Sequence, residues 1–401
     1  MKERIKTAII GGGASGLFLA SLLQGEDIAL FERGERVGKK LSATGNGQGN
    51  VSNLQVEDGG YFSYAQSGET LAKTLVKKYG LQSLKNHLQR LGLLLTVDER
   101  QRVYPAGKQA SAVTDALRFY IAEKGVRIYT GVTIEKVEKT KDGFCLTAGE
   151  DRYYAERVVL CTGGKAGKHF GTDGNGYRLA QSFSHTLTPL YPALVQLKTQ
   201  TADIKSLKGI RVSPASVRAE YDGRQKELMG DLLFTEYGVS GDVIFRLSSF
   251  ISDKIDKGVT LFINFLPEFT GEEIEKAVKE KSARYPQMPF GELLCGIVNN
   301  QVGRAVSKKA NDDIDKAIDL LQNFPLVVTG SLGFDYAQVT KGGISTDEVD
   351  ERLQSKKVEN LYFAGEILDI DGECGGYNIQ WAYSSACAVA EAINEKTRGQ
   401  V

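Results

Sequence analysis

The feature that most constrains this chain is Gly11-Gly12-Gly13-Ala14-Ser15-Gly16, a G-x-G-x-x-G spacing set between two apolar segments. Residues 5–10 are apolar and largely β-branched, which predicts a strand. Leu17, Phe18, Ala20, Ser21 and Leu22 follow in a helical pattern. The first glycine permits a tight turn, the second lets a pyrophosphate approach the backbone, and the third lets the helix pack on the strand. The helix N-terminus then turns free N–H groups toward a diphosphate. A second predicted strand, 28–31, ends at Glu32, whose carboxylate can accept both hydroxyls of an adenosine ribose. In a chain with 45 glycines the triplet alone could be an ordinary turn with a solvent-facing acid. Strand, helix and acid in register favour a dinucleotide site made by Gly11, Gly13, Ala14, Ser15, Gly16, Glu32 and the adjacent Arg33.

At 401 residues the chain is expected to form more than one lobe. Lys plus Arg balance Asp plus Glu at 50 each, so no electrostatic footprint for nucleic acid or an anionic membrane is evident. The five cysteines are scattered without a CxxC pair, which argues against a disulfide framework or a zinc site. No metal ligands are assigned. No segment approaches the roughly 20 apolar residues of a membrane span, and a cytoplasmic location is expected.

The far end of the chain separates FAD from NAD. Residues 360–364 predict a buried strand leading into Gly365-Glu366, then Asp369, Asp371-Gly372 and the turn Gly375-Gly376-Tyr377-Asn378. A helical segment follows through Ile379, Gln380 and Trp381. A late strand, an acidic turn and a glycine-opened helix suit the inner end of FAD. The helix N-terminus faces the edge of the ring where negative charge gathers on reduction. Between the two ends, a strand at 157–160 enters Thr162-Gly163-Gly164, and a strand at 126–129 brings Gly131 and Val132 toward the adenine. Three separated strand ends serving one ligand imply a discontinuous FAD domain. No second G-x-G-x-x-G follows a strand between residues 100 and 330, so electrons pass to oxygen, another protein or a transiently bound nicotinamide.

The stretch Lys40-Leu-Ser-Ala-Thr44-Gly45-Asn46-Gly47-Gln48-Gly49-Asn50-Val-Ser-Asn53 resembles the KLxxTGxGRCNxTN signature of a bacterial family of NAD(P)/FAD-dependent oxidoreductases. Arg102-Val-Tyr104-Pro105, Thr162 to Tyr177 with Pro192 to Val195, Gly230 to Gly241, and Gly365 to Gln380 agree with it in order. The resemblance implies an α/β fold: a discontinuous glutathione-reductase-like FAD-binding Rossmann domain with an inserted small β-rich domain and a helical domain. It also implies FAD as cofactor, with Lys40, Thr44, Gly45, Asn46, Gly47 and Asn50 cradling it. Thr162, Gly163, Gly164, Gly365, Glu366, Asp369, Gly376, Tyr377, Asn378, Ile379 and Gln380 complete the contacts. The family includes aminoacetone oxidases and flavoproteins that reduce bile acid intermediates. Here Gln48 and Gly49 replace the usual Arg and Cys, a departure that resembles the oxidase-type members.

Short alternating runs and helical spacings divide the rest. They predict an FAD-binding domain over 1–188 and 335–401, a small β-rich domain over 189–238 and 324–334, and a mainly helical cap over 239–323. The activity the resemblance implies is oxidation of a small amine with oxygen, aminoacetone giving methylglyoxal, ammonia and hydrogen peroxide. The alternatives are a reductase of an unsaturated ring substrate using external NAD(P)H, and a non-catalytic FAD-binding protein. A small aromatic or polar pocket near Tyr104 or Tyr377 is expected, nucleic acid and membrane are not expected partners, and a dimer is a candidate assembly. No catalytic base is assigned. His87, His169 and His185 read as structural or exposed, and Cys374 is a candidate neighbour of the ring.

Overall fold

The computed structural model describes residues 4–25 and 27–398. The outermost residues of the expected FAD-binding segments, 1–3 and 399–401, lie outside the described residues. By internal contacts the chain forms two units. One joins the described residues up to Tyr191 with those from Val339 onward, and the other spans Pro192–Gln338.

In the first unit the β-branched runs become a mixed sheet. Its strands lie in the order Arg127–Thr130, Ile28–Glu32, Arg4–Ile10, Asp151–Leu160, Gly143–Ala148 and Lys136–Thr140, with Leu361–Phe363 also paired to Asp151–Leu160. The long strand Asp151–Leu160 serves two partners. Its first half runs antiparallel to Gly143–Ala148, and its second half runs parallel to Leu361–Phe363 with Val158 opposite Leu361. The parallel strands Arg4–Ile10 and Ile28–Glu32 pair with Ile9 opposite Leu30. Buried on both faces, they read as continuous apolar runs, as parallel strands do.

Helix Ala14–Leu22 is apolar on every side and correspondingly buried from Ser15 to Ser21. It packs against the C-terminal helix Tyr377–Arg398, where Tyr383 stands edge-on to Phe18 at 5.3 Å. A small sheet, Ser52–Asn53 with Arg102–Pro105 and Leu95–Val97, belongs to the same unit.

The second unit is a closed barrel in the order Leu197–Thr199, Gly238–Ser240, Arg224–Phe234, Arg211–Tyr221, Thr260–Asn264, Phe324–Ser331. Helices Asp242–Ile251, Gly271–Arg284, Asn300–Ala310 and Ile314–Gln322 share its core: Leu232, Phe234, Ile263 and Phe324 cluster with Ile274, Val302 and Leu321. The expected separation into β-rich (189–238, 324–334) and helical (239–323) domains is therefore not seen. The apolar run at 259–265 supplies a barrel strand, and amphipathic helices of this length bury their stripes on a neighbouring surface rather than on each other alone.

Candidate cofactor site

The first turn has the geometry its glycines predict. Gly11 has φ +109°, and a Cβ there would overlap the backbone of Cys161 at the end of the neighbouring strand. A Cβ on Gly16 would overlap the Gly11 carbonyl, so helix and strand are in backbone contact. Gly13 differs: a Cβ would meet open space, the side from which a ligand reaches the backbone. No side chain caps helix Ala14–Leu22, so its first N–H groups are left to a ligand or solvent. Glu32 accepts from the N–H of Gly12 (2.9 Å) and of Gly34 (2.6 Å), which fixes the carboxylate over the turn. Val132 is pinned to the same strand end, its N–H donating to the Glu32 carbonyl. Arg33 forms an ion pair with Asp173 at 2.8 Å. Burial raises the Asp173 carboxyl, but the Arg33 hydrogen bond and the Asn175 N–H outweigh it and hold the pKa below the usual value.

Distant motifs converge beside this turn. Gly365, at φ +82°, presses on Ser15, a Cβ falling 2.7 Å from its Oγ. Its N–H donates to Ser385 and its carbonyl accepts from the Trp381 indole. Lys40 reaches Glu366 at 2.8 Å and also donates to the Ala166 carbonyl. The other Glu366 oxygen accepts the Thr340 N–H, and the Thr340 hydroxyl accepts from Lys165 and Ala166 after the Gly163-Gly164 turn. Asp369 is buried, its Oδ2 accepting from Ser63 and the Tyr64 N–H at 3.0 Å each. Burial, opposed by those bonds, pushes its pKa up to about 6. Tyr177 is buried facing Glu366 and Asp369, and desolvation followed by those two carboxylates raises its phenol well above the ordinary value. Among the described residues, Thr162 Oγ1 and Asp369 Oδ1 are buried without a hydrogen-bond partner. Such groups call for one.

The 44–50 loop is built on left-handed backbone: Gly45, Asn46, Gly47 and Gly49 all have positive φ. Thr44 donates to the Leu41 carbonyl. The Asn50 amide donates to the carbonyls of Ser52 and Val103, so its N–H groups hold the loop to the small sheet. Gly376, at φ +104°, lies against the Ser52 backbone, and Tyr377 stacks edge-on with Tyr61 at 5.6 Å. Asn378 closes its own loop through Gly372. Gln380 departs from expectation. Fully buried, it accepts from Ser52 Oγ at 2.7 Å and donates to the Tyr79 carbonyl and to Ser384. One helical turn beyond Gly376, its side chain points into the protein and not toward the turn. Ile379 is half-buried against the core.

Two of the histidines are held in structural roles, and His169 is exposed. His87 is buried against Ser21 at 2.8 Å, and desolvation, then Arg90 and Lys124, lower its pKa to about 4. His185 lies between Glu348 and Ser355. His169 lies on the Phe170 ring. Thr340, Ser63 and Tyr177 join this cluster without having been singled out from the sequence; only the position of Tyr177 in the 162–177 block hinted at it. Among the described residues no helix is long and apolar enough to cross a membrane, and no group of three or more His, Cys, Asp or Glu side chains is placed to hold a metal ion.

The open face of Gly13, the uncapped helix, the fixed Glu32 carboxylate and the unpartnered polar atoms farther in fit a long dinucleotide, with diphosphate at the first and polar groups along the rest. The HI0933-like protein Rossmann domain family matches residues 5–392. The 3-dehydro-bile acid delta(4,6)-reductase of Clostridium scindens is 34% identical, over 98% of this chain and 99% of its own. The ribosomal RNA dihydrouridine synthase of Escherichia coli is 30% identical over 98% of each chain. Among solved structures, a 3-ketosteroid-delta4-(5alpha)-dehydrogenase from Rhodococcus jostii RHA1 shares the fold, at TM-score 0.54 and 13% identity, over 98% of this chain and 97% of that one. The chain thus belongs to the HI0933-like family of Rossmann-fold oxidoreductases, and its cofactor is FAD.

Proposed function

We propose that this protein is an FAD-dependent reductase of a ring carbon–carbon double bond conjugated to a carbonyl, in a small molecule, with electrons taken from an external nicotinamide dinucleotide. The observation that carries this reading is the pair of full-length relatives. One is named for reducing delta(4,6) bonds of a 3-dehydro bile acid, the other for making dihydrouridine. Both names describe hydrogen added across a ring double bond. Balanced charge favours a small molecule over RNA as the substrate.

The cofactor, when bound, supplies two-electron transfer. The chain's residues do the rest. The N-terminus of Ala14–Leu22 receives the diphosphate, Glu32 the ribose, and the Lys40–Glu366 pair with Asp369 the polar tail. The aromatic groups Tyr61, Tyr104 and Tyr377 exclude water beside the Gly376 turn.

A second reading, oxidation of a small amine such as aminoacetone, rests on Gln48 and Gly49, the loop departure that resembles oxidase-type members. Gly49 sits at φ +79° with Ala110 Cα 2.8 Å from a would-be Cβ, so a cysteine cannot occupy that backbone. One anaerobic experiment separates the two. Holoprotein bleached by NADH or NADPH should regain its yellow colour on adding a 4-en-3-one steroid. Bleaching by aminoacetone alone, with peroxide formed once air is admitted, would replace the reductase reading with the oxidase one.

A further inference from the structure

We propose that Tyr104 is the proton donor of this site. The proposal deepens the reductase reading and rests on it.

Tyr104 lies on Arg102–Pro105, the middle strand of the small sheet. Its ring edge is 3.4 Å from the position a Cβ would take on Gly45, so it packs against the backbone of the 44–50 loop. Cys374, next to the Gly375-Gly376 turn, is near enough to act electrostatically on the same phenol. Gly375 in turn lies against Arg102 and is tied to Asn53. Tyr104 therefore stands between the two loops assigned to the inner end of the cofactor.

Three neighbouring buried or half-buried tyrosines have committed hydroxyls: Tyr61 donates to the Tyr377 carbonyl, Tyr79 to Glu391, and Tyr383 pairs with Ser83. Tyr104 is only 4% exposed as a residue, and its hydroxyl, which is not among the buried unpartnered oxygens, bonds to no group among the described residues. The hydroxyl end of this buried ring is thus left free to bond a ligand or water.

The charges around it suit an acid that gives up a proton and takes it back. Burial raises the phenol above its usual range, Asp98 and Cys374 add to that, and Arg102 and Arg100 oppose it. At neutral pH the oxygen carries its proton. After transfer, the two guanidinium groups stabilise the phenolate. Arg102 is held in place by Asp98 at 2.7 Å and lies 5.8 Å from the ring centre, with Lys108 at 5.9 Å. Where the family signature has a cysteine in the loop, this chain has Gly49, which carries no proton. In the reaction, the double bond gains an electron pair with one hydrogen at the carbon β to the carbonyl, supplied by the nicotinamide dinucleotide through the cofactor. The Tyr104 O–H bond breaks as the α carbon–hydrogen bond forms, and the phenolate regains a proton from solvent.

The test uses holoprotein with a 4-en-3-one steroid, read in separate half-reactions. Tyr104→Phe should keep its flavin, be reduced by the nicotinamide within about twofold of the parent rate, and bind the steroid, by flavin difference spectrum, within about threefold. Its reoxidation by the steroid should slow by about 100-fold or more. A fluorinated tyrosine at 104 should move the pH profile of reoxidation to lower pH while preserving the fold, and it decides the matter if the phenylalanine variant loses flavin. Reoxidation of Tyr104→Phe within about threefold of the parent, or an unshifted profile, overturns the role of Tyr104 alone. If the parent protein itself is not reoxidised by the steroid, the reductase reading falls and this role with it.

Discussion

The two units bring backbone against glycine in different settings. In the first, Gly11 and Gly376 sit where a side chain would run into the backbone of a segment distant in sequence, Cys161 in one case and Ser52 in the other, and a helix begins one to three residues later. In the barrel unit, Gly238 meets the Leu197 carbonyl inside a strand pair, while Gly223 closes the hairpin between Arg211–Tyr221 and Arg224–Phe234 with φ +70° and open space around it. A close approach within a strand pair serves the sheet, and an open turn only reverses the chain. A close approach that opens a helix leaves N–H groups for a ligand, and that is the setting the first unit's motif glycines share.

The contrast can be broken by substitution. Gly376→Ala should abolish flavin binding, because both the left-handed backbone and the Ser52 carbonyl oppose a methyl group; retention of bound FAD in the purified protein would show that the contact can relax. Acid should cost the first unit next. The folded-state pKa of His87 is depressed to about 4, so its contribution is complete above about 6.5 and is lost as the pH falls toward 4. Full loss is about 3 kcal/mol, and urea unfolding of His87→Gln across that window should show a flatter profile than the parent. Glu32→Ala should weaken FAD binding by about 2–3 kcal/mol through loss of charge-assisted hydrogen bonds; unchanged flavin retention on dilution would contradict the placement of the ribose. Gln380→Ala should cost roughly 2 kcal/mol of stability with the flavin spectrum intact, and a spectral shift instead would return Gln380 to the ring. The smallest effect belongs to the barrel: Gly223→Ala should lower stability by roughly 1 kcal/mol and leave flavin content untouched.

What could be read in advance follows the same line. Gly11, Gly13, Gly16 and Glu32 are legible because strand, turn, helix and acid are neighbours along the chain, and local sterics dictate them. Polar residues beside a motif are ambiguous, since a loop needs hydrogen bonds of its own. Asn378 and Gln380 look alike as candidates, yet one closes its turn and the other ties the C-terminal helix to Ser52 and Tyr79. Pairs far apart in sequence, such as Asp369 with Ser63 and Tyr64, leave no spacing to detect. The barrel's alternation was readable as β-structure, but the run at 259–265 could not be assigned to it, because a short apolar run looks the same in a helix-rich segment as in a strand.

The strand Leu361–Phe363 and the Lys40–Glu366 ion pair put the last portion of the chain into the first portion's site. On a ribosome, residues 4–32 emerge hundreds of positions before their partners. Until the C-terminal segment is released, the strand Asp151–Leu160 lacks a neighbour on one side and Lys40 lacks its carboxylate. Cofactor capture therefore cannot precede the emergence of residues 361–366, and a product cut short before them would be colourless. Loading with FAD thus reports that Glu366 has reached Lys40.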